Sequence, residues 1–174
     1  AVLNVDRGVE EAIRMMHFLE NTALIIVGDG DVIPDMKILV EKEKWQDRVY
    51  FFGKLPYAEL LQYTQQADLG LSFDQPTNPN YLFSLPNKIF DYIHTGTPVI
   101  CSNLVEVSKL VKGYDVGEIV TDFTPQHLAQ QIQNILNDPT LMERWKANCK
   151  TAAEKESWET EVQQLNEFYP KVHA

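Results

Sequence analysis

The sequence predicts an α/β domain in which a parallel β-sheet carries helices on both faces. Short apolar runs rich in β-branched residues alternate five times with segments of helical periodicity along the 174 residues. The connections between them are short, and an apolar run bounded by glycines is typical of a buried parallel strand. Because right-handed crossovers place helices on both faces of such a sheet, we expect a doubly wound, Rossmann-like fold with extra C-terminal helices.

The boundaries of these elements follow from the same patterns. The predicted strands cover residues 23–27, 48–52, 68–73, 97–101 and 116–120. The predicted helices cover residues 8–20, 32–45, 56–66, 85–95 and 104–112. From residue 125 onward the sequence predicts three helical pieces, interrupted near residues 138–139 and 156–157. The last piece, near 158–169, has an apolar stripe on one face, which consists of Trp158, Val162, Leu165 and Tyr169. We expect this stripe to pack either on this domain or on a domain outside the chain.

Composition and charge exclude several functional classes. Fifteen Lys and Arg residues against 25 Asp and Glu residues give a formal charge of −10, and no basic tract offsets it. Binding to nucleic acid or to an anionic membrane surface requires clustered Lys and Arg, so we expect neither partner. The two cysteines, Cys101 and Cys149, lack metal-ligand spacing and suit a reducing compartment. No apolar run approaches the roughly 18 residues of a membrane span, and we expect a cytoplasmic protein.

The chain shows no internal boundary. It contains no repeat, low-complexity tract or Gly/Ser linker, so we expect a single domain over residues 1–174. Its first six residues, AVLNVD, are typical of the end of a strand and the loop after it, with almost no strand before them. This pattern predicts that the domain is a fragment of a longer polypeptide.

In a doubly wound sheet, ligands bind beyond the carboxyl ends of the strands. This rule selects four loops for inspection, at residues 28–31, 53–55, 74–85 and 102–104. The turn at 28–30 lacks the third glycine and the acidic partner of a dinucleotide-binding fingerprint. The four histidines are scattered and none has a neighbour at ligand spacing, so we expect no metal site.

The most informative segment is SLPNKIFDYIHTGTPVI, residues 84–100. Its helix is predicted to begin near Ser84, a favoured N-cap residue, with Pro86 in the first turn, and to end at Gly96. Helical spacing places four polar residues on one face, and they are Ser84, Asn87, Lys88 and Asp91.

This face has the chemistry of a nucleotide-binding site. A helix N-terminus offers free N–H groups and a positive dipole to an anion, and Lys88 adds a full charge one turn later. Asp91, a further turn along, is placed to accept hydrogen bonds from sugar hydroxyls. The structural alternative is an ordinary amphipathic helix in which Ser84 is the cap and Lys88 and Asp91 form an exposed pair.

A second candidate lies at the start of the first helix, in the sequence Asp6-Arg7-Gly8. Arg7 could reach the same crevice and hold a phosphate with its planar guanidinium. The alternative is a surface arginine next to a capping Asp6.

Together these segments resemble the carboxyl-terminal half of a family 4, or group 1, retaining glycosyltransferase of the GT-B fold. The matching stretches occur in the family's order and cover most of the chain. They are Arg7-Gly8, LIIVGDG (24–30), VYFFGKLP (49–56), ADLGLS (67–72) and the segment 84–100. The resemblance implies that this half binds the nucleotide-sugar donor, that an amino-terminal half absent here binds the acceptor, and that no metal or other cofactor is needed.

The resemblance also implies a role for individual residues. Arg7 takes the position of the basic residue that contacts the donor pyrophosphate, and Lys88 lies beside the phosphates. Asp91 takes the position of the second glutamate of the family's E-x7-E pattern, which holds the ribose hydroxyls. The resemblance further implies contacts from the backbone. The backbone of Gly53 and Lys54 would lie next to the nucleobase, and the backbone of Leu85, Pro86 and Asn87 would lie next to the phosphates.

The chain departs from the family at the first glutamate of that pattern. Ser84 stands in its place, and its short hydroxyl cannot make the same contact with the donor sugar. The family's arginine after the first strand also has no counterpart, because the first five residues include no basic side chain.

Three functions are therefore open. The first is the donor domain of an enzyme that transfers a sugar from a UDP- or GDP-sugar to a glycan or lipid-linked acceptor, as in cell-envelope polysaccharide synthesis; this domain would be inactive alone. Under this first hypothesis, only the full-length enzyme would associate peripherally with a membrane. The second is a non-catalytic nucleotide-binding or interaction domain, in which Ser84 marks a degenerate site. The third is half of a sugar-nucleotide epimerase, which would need a cluster of carboxylates and histidines not evident here.

Overall fold

The structure is a computed structural model that describes residues 3–77 and 79–156. In these residues the strands are β1 (Leu24–Val27), β2 (Val49–Gly53), β3 (Gly70–Ser72), β4 (Val99–Ser102) and β5 (Gly117–Val120). The helices are α1 (Val9–Arg14), α2 (Ile33–Lys42), α3 (Tyr57–Gln66), α4 (Pro79–Leu82), α5 (Asn87–Thr95), α6 (Val105–Tyr114), α7 (Pro125–Leu136) and α8 (Pro139–Lys155). The helix predicted near 158–169, with Trp158, lies outside the described residues.

The predicted α/β alternation is confirmed, and all strand pairs are parallel. Within the described residues, however, the strands form two sheets: β1 pairs with β2, and β4 lies between β3 and β5. The five strands therefore do not form the single continuous sheet that the alternation predicts.

Helices cover both faces of this strand layer. On one face, apolar residues of α1, α2 and α7 form a core with residues from both sheets, including Ile26 of β1 and Ile100 of β4. On the other face, α5, α6 and α8 form a second core against Val99 and Cys101. Alternate residues of β4 thus point to opposite faces, as the pleat of a strand requires.

Several boundaries differ from the sequence prediction. The first helix is α-helical only over Val9–Arg14 and continues as a 3₁₀ turn at Met15–His17. Strand β3 is three residues long, and the loop at residues 74–85 contains the short helix α4. Hydrophobic periodicity does not distinguish a 3₁₀ turn from the end of an α-helix, because both bury the same side chains here.

The two cysteines belong to the second core. Both are free and buried, and burial raises the pKa of Cys101 and of Cys149 to about 12. Both thiols are therefore protonated at neutral pH and act as small apolar groups. Across residues 3–77 and 79–156, no helix combines the length and the apolar character needed to cross a bilayer.

Glycine is required where β5 meets β4. A Cβ atom added to Gly117 would lie 1.8 Å from the carbonyl oxygen of Val99, its pairing partner. Gly113, in the preceding helix α6, has no atom within 4 Å of the same position. The close approach of the two strands therefore depends on the missing side chain at Gly117 alone.

We expect Gly117→Ala to lower the free energy of unfolding by about 3 kcal/mol, because the added methyl group forces the backbones of β4 and β5 apart. Urea denaturation measures this change. The matched control Gly113→Ala should raise the stability by about 0.5 kcal/mol, since alanine is the better helix former. Equal effects of the two substitutions would contradict the close contact.

Candidate functional site

A cavity of about 980 Å³ brings most of the predicted site residues together. Those that line it are Arg7, Ser84, Leu85, Pro86, Asn87, Lys88 and Asp91. They come from the loop before α1 and from the start of α5, which are far apart in the sequence. The fold therefore places both candidate segments at one cavity, as the crevice rule predicts.

Gly53 and Lys54 lie elsewhere. Gly53 is the last residue of β2 and Lys54 follows it, and neither lines this cavity. Gly53 has a positive φ of 64°, and its carbonyl oxygen accepts a hydrogen bond of 2.7 Å from the N–H of Gly28. The turn after β2 is thus fixed to the turn after β1, and the nucleobase role of Gly53 and Lys54 stays a prediction.

Helix α5 begins at Asn87, and its N-cap is Pro86. The prediction that Ser84 caps this helix is wrong, because the Ser84 hydroxyl donates a 2.9 Å hydrogen bond to the carbonyl oxygen of Tyr81. The predicted end is confirmed, since Gly96 adopts the left-handed conformation. The N–H groups of Asn87 and Lys88 have no partner within the helix, as in any first turn, and they lie at the cavity.

The centre of the site is a buried carboxylate, Asp74. One oxygen accepts from the guanidinium of Arg7 at 2.8 Å, and the other lies 2.8 Å from the ammonium nitrogen of Lys88. The Ser72 hydroxyl donates to this second oxygen at 3.0 Å. The side chain of Asp74 is fully buried, whereas Arg7 and Lys88 keep 29% and 23% of their side chains exposed.

These pairings determine the ionisation of Asp74. Burial alone would raise the pKa of this carboxyl, but the charge of Lys88 and hydrogen bonds from Lys88 and Arg7 outweigh it, so the pKa lies below its ordinary value. Asp74 is therefore a carboxylate at neutral pH. Arg7, Lys88 and Asp74 together carry a local net positive charge at the cavity, the lining of which also includes Asp68 and Asp91. Each of the two cations has further N–H donors.

Arg7 is also held from a second side. Its guanidinium lies 4.7 Å from the centre of the Tyr81 ring, which comes from α4. Stacking of this kind fixes the plane of an arginine. The alternative in which Arg7 is a surface residue next to a capping Asp6 is wrong, since the N-cap of α1 is Gly8 and no side chain caps it.

Asp91 has a partner that the sequence did not reveal. The hydroxyl of Tyr57, at the start of α3, donates a 2.7 Å hydrogen bond to one oxygen of Asp91. This bond raises the pKa of Tyr57. The alternative in which Lys88 and Asp91 form an exposed pair on α5 is therefore wrong, because each side chain is bound to a residue of another element.

Three contributors were absent from the sequence-based set: Asp74, Tyr57 and Tyr81. Asp74 follows the apolar run LGLSF at the end of a predicted strand, where a polar residue points to a ligand crevice. A search for polar residues at the ends of predicted strands would therefore have found Asp74. No comparable local signal marks Tyr57, which reaches the site only through the packing of α3 against α5.

Two side chains of types that often bind ligands, His17 and Trp145, have structural contacts instead. The ring of His17 contacts Phe18 and Trp45, and Trp145 is buried in the core with its indole N–H bound to Asp115. In the part of the chain that the structure describes, no three His, Cys, Asp or Glu side chains are grouped so that they could hold a metal ion.

Fold and site together define the class: a parallel α/β domain in which a helix N-terminus and two fixed cations lie at one cavity, an arrangement that suits an anionic ligand. The particular family follows from comparison. The model of the family described as "Glycosyl transferases group 1" matches residues 1–152, so the chain belongs to the group 1 glycosyltransferases. The resemblance found in the sequence is thereby confirmed.

Known proteins agree with this assignment. The chain is similar to the alpha-D-kanosaminyltransferase of Streptomyces kanamyceticus, with 23% identity over 145 residues. Anabaena Alr3699/HepE, solved in complex with UDP and glucose, superposes with a TM-score of 0.81 at 20% identity. The C-terminal domain of the group 1 glycosyltransferase LpcC from Francisella tularensis superposes with a TM-score of 0.72 at 12% identity.

The coverage of these matches is uneven. The chain aligns over 83% of its own length with the kanosaminyltransferase but spans only 36% of that protein. It aligns over 97% of its length with HepE and spans 46% of it. With the isolated C-terminal domain of LpcC the values are 89% and 83%. The chain therefore spans less than half of the length of the kanosaminyltransferase and of HepE.

We expect Asp74→Asn to lower the free energy of unfolding at pH 7 by about 3 kcal/mol, because it removes the buried charge that pairs with Arg7 and Lys88. The folded-state pKa of Asp74 is depressed, so its stabilisation is fully present above the unfolded pKa of about 4 and is lost as the pH falls through the folded pKa. Urea denaturation from pH 7 to pH 3 measures both effects.

The difference between the parent and Asp74→Asn should therefore shrink below about pH 4. Asp68→Asn is the matched control, since Asp68 is exposed and lies 3.9 Å from Lys146. It should change stability by less than about 0.5 kcal/mol. A pH-independent loss in Asp74→Asn would contradict the role of its charge.

Proposed function

We propose that this chain is the donor-binding domain of a group 1 glycosyltransferase, which transfers a sugar from a nucleotide diphosphate with retention of anomeric configuration. The observation that carries this proposal is the pair of cations, Arg7 and Lys88, fixed by buried Asp74 beside the first turn of α5. Family membership favours a transferase over a sugar-nucleotide epimerase.

The diphosphate is the part of the donor that this site suits best. In a chain of net charge −10, a dianionic group needs a local positive region, which these cations and the N–H groups of Asn87 and Lys88 supply. Charge also develops on the diphosphate when the glycosidic bond to it breaks. Donors fixed in advance stabilise that charge without reorganisation, which is how such a site lowers the barrier to transfer.

Asp91 would hold the ribose. It lies one turn beyond Lys88 on the same helix, and its carboxylate lines the same cavity. Because Tyr57 occupies one of its oxygens, the carboxylate is oriented and the second oxygen remains as an acceptor. The complex of HepE with UDP and glucose supports a nucleoside diphosphate as the ligand, and UDP is the first nucleotide to test.

The acceptor would bind to a second domain of the same polypeptide. The match to an isolated C-terminal domain and the partial coverage of the longer relatives support this division. The acidic surface and the two buried, free thiols support a cytoplasmic site of action.

We expect Lys88→Ala and Arg7→Ala each to weaken UDP binding by about tenfold or more, because each removes a charged donor to phosphate. Calorimetric titration of the chain with UDP, GDP and ADP measures the affinities and identifies the base. Lys109→Ala is the matched control, since Lys109 pairs with Glu106 on the surface of α6. If both site variants bind as tightly as the parent, the assignment is wrong.

We expect Asp91→Asn to weaken the binding of UDP by about fivefold while leaving 2′,3′-dideoxy-UDP unaffected, because only the ribose hydroxyls need the charged acceptor. Titration of both nucleotides against parent and variant gives the coupling between Asp91 and the hydroxyl groups. An equal loss for both ligands would instead assign Asp91 a structural role.

A further inference from the structure

The carboxylate of Asp91 is held by a residue of another helix. In the part of the chain that the structure describes, the hydroxyl of Tyr57 is the only group that bonds to this carboxylate, at 2.7 Å. Lys88, one turn earlier on α5, pairs with Asp74 instead. Thr95, one turn later, donates its hydroxyl to the main-chain carbonyl oxygen of Asp91 and leaves the carboxylate free. The direction of the carboxylate therefore depends on Tyr57.

Helix α3 is attached to the region of α5 by a second bond, which does not involve Tyr57. Near the other end of α3, the carbonyl oxygen of Thr64 accepts a 2.8 Å hydrogen bond from the hydroxyl of Thr97, which follows α5. This bond is buried, whereas Tyr57 is 62% exposed and contributes little packing. Loss of the Tyr57 hydroxyl should therefore release the carboxylate of Asp91 while α3 keeps its place.

An aspartate without a partner is less well oriented for a ligand. A partly exposed side chain on a helix samples more than one staggered rotamer, and a ligand that selects one of them pays the lost conformational entropy. Because the hydroxyl of Tyr57 selects one orientation of Asp91 in advance, this loss is already incurred before a ligand binds.

The chemistry of a tyrosine also suits this role. The hydrogen bond to Asp91 raises the pKa of Tyr57, so the phenol keeps its proton at neutral pH and remains a donor. An uncharged donor orients the carboxylate without compensating its charge, whereas an arginine or a lysine would neutralise it. The other oxygen of Asp91 thus remains a charged acceptor for hydroxyl groups in the cavity.

We propose that Tyr57 is a positioning residue for the ribose of the donor nucleotide and acts through Asp91. The inference rests on the proposed function, because it requires that Asp91 binds the ribose hydroxyls. Tyr57 does not line the cavity, so its effect on the ligand has to pass through the carboxylate that it holds. Its contribution is therefore confined to the part of the ligand that Asp91 binds.

The test is a double-mutant cycle read with two ligands. Calorimetric titration measures the binding of UDP and of 2′,3′-dideoxy-UDP to the parent chain, Tyr57→Phe, Asp91→Ala and the double variant. We expect Tyr57→Phe to weaken UDP binding by about threefold and to leave dideoxy-UDP binding unchanged. Asp91→Ala should weaken UDP binding by about fivefold or more. Adding Tyr57→Phe to Asp91→Ala should cause no further loss, since the hydroxyl then has no carboxylate to orient.

The matched control is Tyr50→Phe, which removes a hydroxyl that is bound to the carbonyl oxygen of Asp47 and lies outside the cavity. It should bind both nucleotides as the parent does, and both Tyr→Phe variants should melt close to the parent. Equal losses for UDP and dideoxy-UDP in Tyr57→Phe would assign Tyr57 a structural role. A further loss in the double variant would mean that Tyr57 contacts the nucleotide directly. Either result would overturn the inference.

Failure of the inference and failure of the proposed function give different results. If Asp91→Ala weakens only UDP binding and Tyr57→Phe has no effect, Tyr57 is not a positioning residue and the ribose role of Asp91 stands. If the parent does not bind UDP, or if Asp91→Ala binds it as tightly as the parent, the proposed ribose contact is wrong and the inference fails with it.

Discussion

Asp74 lies at the carboxyl end of β3, and its two oxygens hold the cations of Arg7 and Lys88. A fully buried carboxylate has a high desolvation cost, so it is stable as an anion only with such partners. The pairing therefore determines the positions of the two cations as well as the charge of Asp74. Because Asp74 needs two cations, the loop before α1 and the first turn of α5 are brought together, and both cations lie at one end of the cavity.

For the proposed function, this arrangement would allow an acidic protein to bind an anion. The long-range field of a chain with charge −10 repels a diphosphate, so binding depends on short-range donors in a partly buried place where screening is weak. Arg7 is fixed by Asp74 and by the ring of Tyr81, and Lys88 is fixed by Asp74. Fixed donors lose little conformational entropy when a ligand binds.

Ser84 distinguishes this site from the glutamate pattern of the family. Its hydroxyl is bound to the carbonyl oxygen of Tyr81, in the short helix that also carries the ring stacked on Arg7. Ser84 therefore helps to hold the segment around Arg7. In the proposed donor site, the contacts with the diphosphate would not need a carboxylate at this position, and the contact with the donor sugar would come from another group.

The sequence by itself determined the features that depend on local pattern. Strand and helix alternation, the end of α5 at Gly96 and the grouping of Asn87, Lys88 and Asp91 follow from periodicity and glycine placement within about a dozen residues. The sequence also showed that Arg7 precedes a helix N-terminus, but it did not show that Asp74 is its partner.

Only the tertiary structure decided which side chains meet. Arg7 and Asp74 are 67 positions apart, and Tyr57 and Asp91 are 34 apart, so no local spacing relates them. The N-cap of α5 is Pro86 rather than Ser84, because the Ser84 hydroxyl bonds to the carbonyl oxygen of Tyr81. The division of the described strands into two sheets was likewise decided by the tertiary structure, because periodicity shows where strands form and only the packed core shows which of them are neighbours.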